Sequence, residues 1–291
     1  MAAPSEEWDL ATIVSRPDFE IITTLAYSTD FASRLNQETK SSPADFCFAL
    51  HYRLDRLAAA IDFSLPDVIS DLKQPDRLFS LAAEIETHML AEHPERRFDA
   101  SKLFIIRLAY GKSGKLSIAS GLRPKYVDAQ YYIRSLHKVT PTMGEVNTTP
   151  VISIHLDTGF VIPSLFTKHK TTFRDEYTAA RARVGLTPST PITGGKILLR
   201  NNQGEIIGGG FTTAYFLREG TYITPSTMSG AKAGVSRRWA LEHAGVKEGS
   251  ILAEDIRYGE MIWLSSAAGG LLGVMSKGSN SNQANSDSAP L

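Results

Sequence analysis

Two blocks of mixed strand and helix patterning predict a two-domain α+β protein. The 291-residue length suits two modest domains, each of about 100 to 150 residues. Short β-branched runs and helix-period apolar runs occur on both sides of residues 137–150. That stretch carries two prolines and little periodicity, so it reads as a connection between domains.

The elements follow in order. Residues 1–18 are expected to be disordered, and residues 19–27 have the β-branched content of a first strand. Asp45 is expected to cap a helix in which Phe46, Leu50, Leu54, Leu57 and Ile61 face the core. A second helix is expected over 75–92, then a hairpin of 102–110 and 115–119 around Gly-Lys-Ser-Gly. These make a small α+β domain, 19–136, followed by the linker 137–150. The larger domain, 151–275, opens on a strand at 151–156. A helix after Lys170 then presents Phe173, Tyr177, Ala180 and Val184 on one face. A hairpin over 196–207, a strand at 214–217, a helix at 234–244 and a last strand at 261–264 complete it. Residues 276–291, rich in Ser, Asn, Gly and Ala, read as a disordered tail.

Composition narrows the function classes. Acidic and basic residues balance at 31 each, so no global field favours nucleic acid or an anionic membrane. The single cysteine, Cys47, cannot form an internal disulfide, and the first residues lack the cationic and apolar parts of a secretory signal. Both point to the cytosol, where the Asn147-Thr-Thr glycosylation pattern stays unmodified. No apolar run approaches the roughly 20 residues that span a bilayer.

The segment Pro163-Ser-Leu-Phe-Thr-Lys-His-Lys-Thr-Thr-Phe-Arg-Asp-Glu-Tyr177 is the richest in chemistry. It ends a β-rich run with closely spaced lysines and then opens a helix. An ammonium held in a dry or cationic pocket loses its proton readily, and only the neutral amine attacks a carbonyl. Lys168 and Lys170 both qualify, because residues two apart in an extended segment share a face.

Two further segments stand in order around it. Leu50-His-Tyr-Arg-Leu-Asp-Arg-Leu57 lies upstream; downstream, Tyr215-Phe-Leu-Arg-Glu-Gly-Thr-Tyr-Ile-Thr-Pro225 leads into Ser229-Gly-Ala-Lys-Ala-Gly-Val-Ser-Arg-Arg-Trp-Ala-Leu-Glu242. Together the three resemble the class IV aminotransferase family, the fold-type IV enzymes that use pyridoxal phosphate, and within it the fungal aminodeoxychorismate lyases. The likeness runs from about Phe19 to Val274, and its most specific pieces are Lys-Thr-Thr-Phe-Arg and Arg-Arg-Trp-Ala-Leu-Glu.

The resemblance implies a homodimer acting on a small amino substrate, with the cofactor in a pocket between the domains. It selects Lys170 as the Schiff-base lysine, with Lys168 as the rival, and Arg56 as the phosphate ligand. A guanidinium fork suits a phosphate, although Arg53 and Arg56 could equally form ion pairs on a solvated helix face. The helix start at Val235 and Ser236 is the implied second half of the phosphate site, its free amides and the Ser236 hydroxyl being anion donors. Gly234 before it is also an ordinary cap. Ser265 and Ser266, read as lying after the last strand, fall where the family has further phosphate or substrate contacts; they are otherwise turn residues.

Two departures from the family pattern stand out. Members usually carry a glutamate that pairs with the pyridine nitrogen, and the same place here reads Gly208-Gly-Gly210. Glu205 should point to the opposite face unless the glycines introduce a bulge. After the last strand an arginine for a carboxylated substrate is also missing, where this chain has Ser265-Ser-Ala-Ala-Gly-Gly270. The implied reaction is release of pyruvate from 4-amino-4-deoxychorismate to give 4-aminobenzoate, a precursor of folate. Aromatisation drives that step, so it demands less of the cofactor's ring than transamination does. The rival readings are another class IV activity, such as a transaminase or a different amino acid lyase, and a homologue that has lost the cofactor chemistry.

Other polar residues read as structural. His51, His155 and His169 lack the spacing of a metal site. Asp45 and Asp55 read as helix-surface charges, and Tyr131 and Tyr132 as side chains that could line a pocket.

Overall fold

The computed structural model describes residues 9–31, 42–95, 102–123, 131–132, 134–138, 152–190 and 195–276. Most of the expected linker, the far ends of both termini and Asn147 lie outside the described residues. The chain divides into two compact units, Met1–Lys125 with His169–Arg174, and Tyr126–Lys168 with Asp175–Leu291. The division differs from the expected boundaries in one important way: the segment carrying Lys170 belongs to the first unit.

In the first unit, helix α1 (Leu10–Ser15) is capped by Asp9, which accepts from the amides of Ala11 and Thr12, so part of the stretch expected to be disordered is helical. Strand β1 (Ile21–Tyr27) comes next, then helices α2 (Leu50–Ala58), α3 (Pro66–Leu72) and α4 (Arg77–Glu92), and the hairpin β2 (Phe104–Tyr110) and β3 (Leu116–Leu122). The three strands form an antiparallel sheet in the order β1-β2-β3, with Leu25 opposite Ile106 and Ile106 opposite Ser120. One face of the sheet buries Leu25, Tyr27, Phe104, Ile106 and Leu108 against Leu50 and against Leu81, Ile85 and Met89 of α4. These α4 residues recur at four-residue intervals, as a helix facing a sheet requires.

The helix expected from Asp45 starts later. Asp45 instead accepts from the Ser42 amide at 2.8 Å and closes a single 3-10 turn, Pro43–Phe46. Cys47 then bridges to Tyr27, and the Phe48 amide donates to Ala26 at 2.9 Å, so β1 captures the chain before a helix can propagate. Ile61 falls in the 3-10 turn after α2 and is 49% exposed, which removes it from the expected core.

The segment His169–Arg174 is held to the edge of β1. The Ile22 amide donates to the Lys170 carbonyl at 2.9 Å, and the Thr172 amide donates to Glu20 at 3.0 Å. Thr172 Oγ1 accepts from the Glu20 amide and donates to the Asp18 carbonyl, each at 2.9 Å.

The second unit contains β4 (Ser153–Leu156), α5 (Leu165–Lys168), α6 (Asp175–Arg183), β5 (Lys196–Arg200), β6 (Ile206–Gly209), β7 (Thr213–Arg218), β8 (Thr221–Pro225), α7 (Val235–His243), β9 (Lys247–Gly249), β10 (Met261–Ser266) and β11 (Gly270–Ser276). The described strands make one mixed sheet in the order β6-β5-β4-β11-β10-β7-β8-β9. Strand β4 runs parallel to β5 and β11, β8 runs parallel to β9, and the other pairs are antiparallel.

Side chains alternate between the faces, and both faces are covered. Leu198, Ala214, Phe216, Ile262 and Leu264 share one cluster. On the other face, Ile197 and Leu199 pack with Tyr177 and Ala180 of α6, while Tyr215 and Trp263 pack with Ala240 of α7. Phe173 and Val184 lie beyond the ends of α6, which is shorter than the expected helix. The strand expected to be the last, β10, is followed by β11, whose return pairs Ser266 with Gly270.

Candidate active site

Lys170 is the most perturbed amine among the described residues. Its backbone is fixed on β1, and its Nζ donates to Thr24 Oγ1 of that strand at 2.6 Å. Burial holds its pKa well below the ordinary lysine value, and the positive charges of Arg56, Arg53, Arg174 and Arg107 lower it further. A cluster of this kind favours the neutral amine and attracts anions.

The arginines come from three places. Arg53 and Arg56 are on α2, Arg107 is on β2, and Arg174 closes the Lys-Thr-Thr-Phe-Arg stretch. Arg53 is fully buried, its guanidinium 5.8 Å from the Phe48 ring centroid, and Arg56 is half-buried. A solvated pair on a helix face is therefore the wrong description of these two residues. Arg107 donates to Glu20 at 2.8 Å. Beside Lys170, the buried His169 ring packs edge-on against Phe63 and shares a 2.9 Å hydrogen bond with Asp62 Oδ2.

Lys168 differs in backbone and exposure. It ends the helical turn α5 and is exposed, so the extended geometry that would turn it to the same face as Lys170 is not formed.

In the second unit, the start of α7 is a separate polar site. Gly234 caps the helix in an extended conformation without a side-chain bond. Ser236 Oγ is buried and has no hydrogen-bond partner among the described residues. Buried hydroxyls are ordinarily satisfied, so this one and the free amides of the first turn form a cradle for an anion. Tyr215 supports it: its hydroxyl lies 3.3 Å from the Ser236 carbonyl and 2.6 Å from Ser265 Oγ. Next in sequence, the buried Arg237 donates to the Pro225 carbonyl at 3.2 and 3.0 Å and pairs with Glu248, which ties α7 to β8 and β9.

Ser265 and Ser266 are not beyond the last strand; they end β10. Ser265 is buried on Tyr215, and Ser266 Oγ accepts the Gly269 amide at 2.8 Å inside the β10-β11 turn. Tyr131 is buried and donates to the Ala268 carbonyl at 2.9 Å, while the Tyr132 ring stands 5.1 Å from Trp239. Among the described residues, no group of three or more His, Cys, Asp and Glu is gathered as a metal ion requires, and no helix is long and apolar enough to cross a membrane.

Gly208 has a backbone reason to be glycine. Its φ is +109°, and a Cβ there would stand 3.1 Å from the Thr212 carbonyl oxygen. The ladder slips beside it, Leu199 pairing with Gly208 and Arg200 with Ile206, which leaves Ile207 as the extra residue of a bulge. Even so, the bulge does not recruit Glu205. That carboxylate accepts from Asn201 Nδ2 at 2.9 Å and Ser250 Oγ at 2.6 Å, and these bonds lower its pKa.

Thr24, Arg107 and Arg174 are the functional candidates that sequence reasoning missed. Thr24 was visible only as one of the β-branched residues of a strand. Arg174 stood inside the recognised motif without a role, and Arg107 stood in a strand pattern that gave no hint of a neighbouring lysine.

Comparison with known proteins shows the family and the fold. Over 114 aligned residues the chain is 28% identical to an aminodeoxychorismate lyase of Saccharomyces cerevisiae; the match covers 35% of this chain and 30% of the relative's length. The fold is that of a fold IV transaminase from Curtobacterium pusillum, at a TM-score of 0.56 and 17% identity over 94% of this chain and 81% of that one. A hypothetical aminotransferase from Mycobacterium tuberculosis, solved with pyridoxal phosphate bound, gives a TM-score of 0.53 at 17% identity over 95% of this chain and 88% of that one. The amino-transferase class IV profile matches residues 99–276, more than half of the sequence, and the chain belongs to that family of pyridoxal-phosphate-dependent enzymes.

Proposed function

We propose that this protein is a lyase of the aminodeoxychorismate type, releasing pyruvate from 4-amino-4-deoxychorismate to leave 4-aminobenzoate. The observation that carries the reading is the buried Lys170 amine, bonded to Thr24 and depressed in pKa by burial and four arginines. The 28% identity to the yeast lyase supports the choice of reaction.

The residues present suit the cofactor. A depressed amine within a cationic cluster, as at Lys170, suits a phosphorylated aldehyde, and the unsatisfied hydroxyl at the start of α7 suits an anion. When bound, pyridoxal phosphate supplies an electron-withdrawing ring that stabilises negative charge beside the substrate's amino-bearing carbon. Lys170 would hold the cofactor and would remove the proton at that carbon, a task for which a neutral amine near neutral pH is required. In the first unit, Arg56 would hold phosphate oxygens; in the second, the Ser236 hydroxyl and the amides of Val235 and Ser236 are a separate candidate anion site. Ser265 acts behind them, through Tyr215, as a support for the start of α7, and Ser266 closes a turn.

Gly208 favours a lyase over a transaminase. Where the family carries a glutamate toward the pyridine nitrogen, Gly208 supplies no carboxylate, so the bound ring would be the weaker electron sink. Aromatisation of the product offsets that weakness in the lyase reaction, and nothing offsets it in amino-group transfer. A cytosolic homodimer in 4-aminobenzoate supply completes the reading.

Product analysis tests it. The protein loaded with pyridoxal phosphate should release 4-aminobenzoate and pyruvate in equal amounts from 4-amino-4-deoxychorismate, and should transfer amino groups from alanine or glutamate slowly. Fast transfer with no pyruvate release would instead assign the chain to the transaminases of its family.

A further inference from the structure

The second unit holds a cavity of about 510 Å³ between α6, β5 and the loop from β6 to β7. None of the candidate catalytic or phosphate-binding residues lines it. Its size falls among small-molecule pockets, which are commonly about 300 to 1,000 Å³. Two cations face it, Lys196 at the start of β5 and Arg181 on α6, and no acidic residue is among the described residues of its wall. The rest of the lining combines the apolar Leu186, Pro188, Ile197 and Phe211 with four threonines, Thr178, Thr187, Thr190 and Thr212.

The cations are held in different ways. Arg181 is fixed, its Nη2 donating to the Thr187 carbonyl at 3.2 Å and its guanidinium 5.5 Å from the Phe211 ring centroid. The Phe211 ring itself is 59% exposed, so it offers a flat apolar surface beside the charge. Lys196 is half-buried, and its pKa is lowered by burial and then by Arg181. Two like charges at one partly dry cavity repel, and an anion between them relieves both.

From this geometry we infer that the cavity is a second ligand site, taking a small organic carboxylate with a flat or branched apolar body. The carboxylate lies between Lys196 and Arg181, and the body lies against Phe211 and Leu186. Inorganic phosphate fits less well, because it would leave the apolar surface of Leu186, Pro188, Ile197 and Phe211 uncovered. The inference is independent of which reaction the Lys170 site performs.

Benzoate is the probe, with benzyl alcohol as its uncharged counterpart, titrated calorimetrically into the full-length protein saturated with pyridoxal phosphate. Benzoate is expected to bind at one site and benzyl alcohol at least about tenfold more weakly, the usual loss when a charge-assisted bond is removed. Lys196→Met and Arg181→Met should each weaken benzoate by about the same factor, and should leave pyridoxal phosphate binding unchanged. Circular dichroism checks that both variants fold; if Lys196→Met does not, Arg181→Met, a half-buried position on α6, decides alone. Undiminished benzoate binding to the folded variants would overturn the proposal, as would equal binding of benzyl alcohol or no measurable heat at millimolar benzoate.

Discussion

Ser236 and Lys170 are single groups whose chemistry can be separated from the packing around them. Because Ser236 Oγ has no hydrogen-bond partner among the described residues, Ser236→Ala should leave the melting temperature of the cofactor-free protein unchanged. The same change should weaken pyridoxal phosphate binding by roughly tenfold to a hundredfold, the range for losing a hydrogen bond to a charged group. Spectrophotometric titration of the cofactor checks this, and a fall in melting temperature without loss of affinity would mark the hydroxyl as structural. Lys170 makes a pH prediction whose sign is fixed. Its folded pKa lies below the ordinary value of 10.5, so between those two values the unfolded chain binds the extra proton. This group therefore makes stability rise with pH across that window. In cofactor-free protein, Lys170→Met should remove that slope, so the variant gains on wild type as pH falls from 10.5. Denaturant unfolding at a series of pH values measures it; parallel curves would show that the amine is not perturbed.

Networks and strand irregularities act at the scale of the element. Arg77, nearly fully buried, donates to Asp71 at 2.9 Å, Glu84 at 2.5 Å and the Tyr110 hydroxyl at 2.7 Å, and that hydroxyl donates in turn to Asp71 at 2.7 Å. The network ties α3, α4 and β2 together. Tyr110→Phe leaves one guanidinium donor without its acceptor and should cost about 1–3 kcal/mol in a denaturant titration. Gly208 makes the second element-scale prediction. At φ +109° any side chain is strained, so Gly208→Ala should destabilise by about 1–3 kcal/mol. Gly208→Glu should do no better, and restoring the family's acid there will not improve catalysis; a more active, equally stable Gly208→Glu protein would show that the strand can adopt another register.

Much of this was legible beforehand, and the exceptions have physical causes. Strands such as Ile21–Tyr27 and Lys196–Arg200 announce themselves by β-branched and apolar content. The helix expected from Asp45 failed because a proline-led 3-10 turn and a bridge to β1 competed with it, an effect set by a distant strand. Strand β11, with two glycines in Gly270–Ser276, has too little alternation to be read alone and forms because β10 and β4 flank it.

At the scale of the whole molecule, the decisive event is the return of His169–Arg174 to the first unit. A boundary drawn from composition puts Lys170 in the second domain, because nothing local reveals that residues 170–172 pair with the strand around Ile21. That return places the amine beside Thr24 and within the field of arginines drawn from α2 and β2. Lys168, only two residues earlier, stays exposed at the end of α5. The likeness of motif selects Lys170, and long-range pairing explains why its surroundings differ from those of its neighbour.

Borohydride reduction of the pyridoxal-phosphate-loaded protein, followed by peptide mapping, tests this difference most directly. The expected result is a pyridoxyl label on Lys170 alone, absent from Lys170→Ala. A label on Lys168, or a Lys170→Ala protein that is labelled as fully as wild type, would contradict the assignment of the active site.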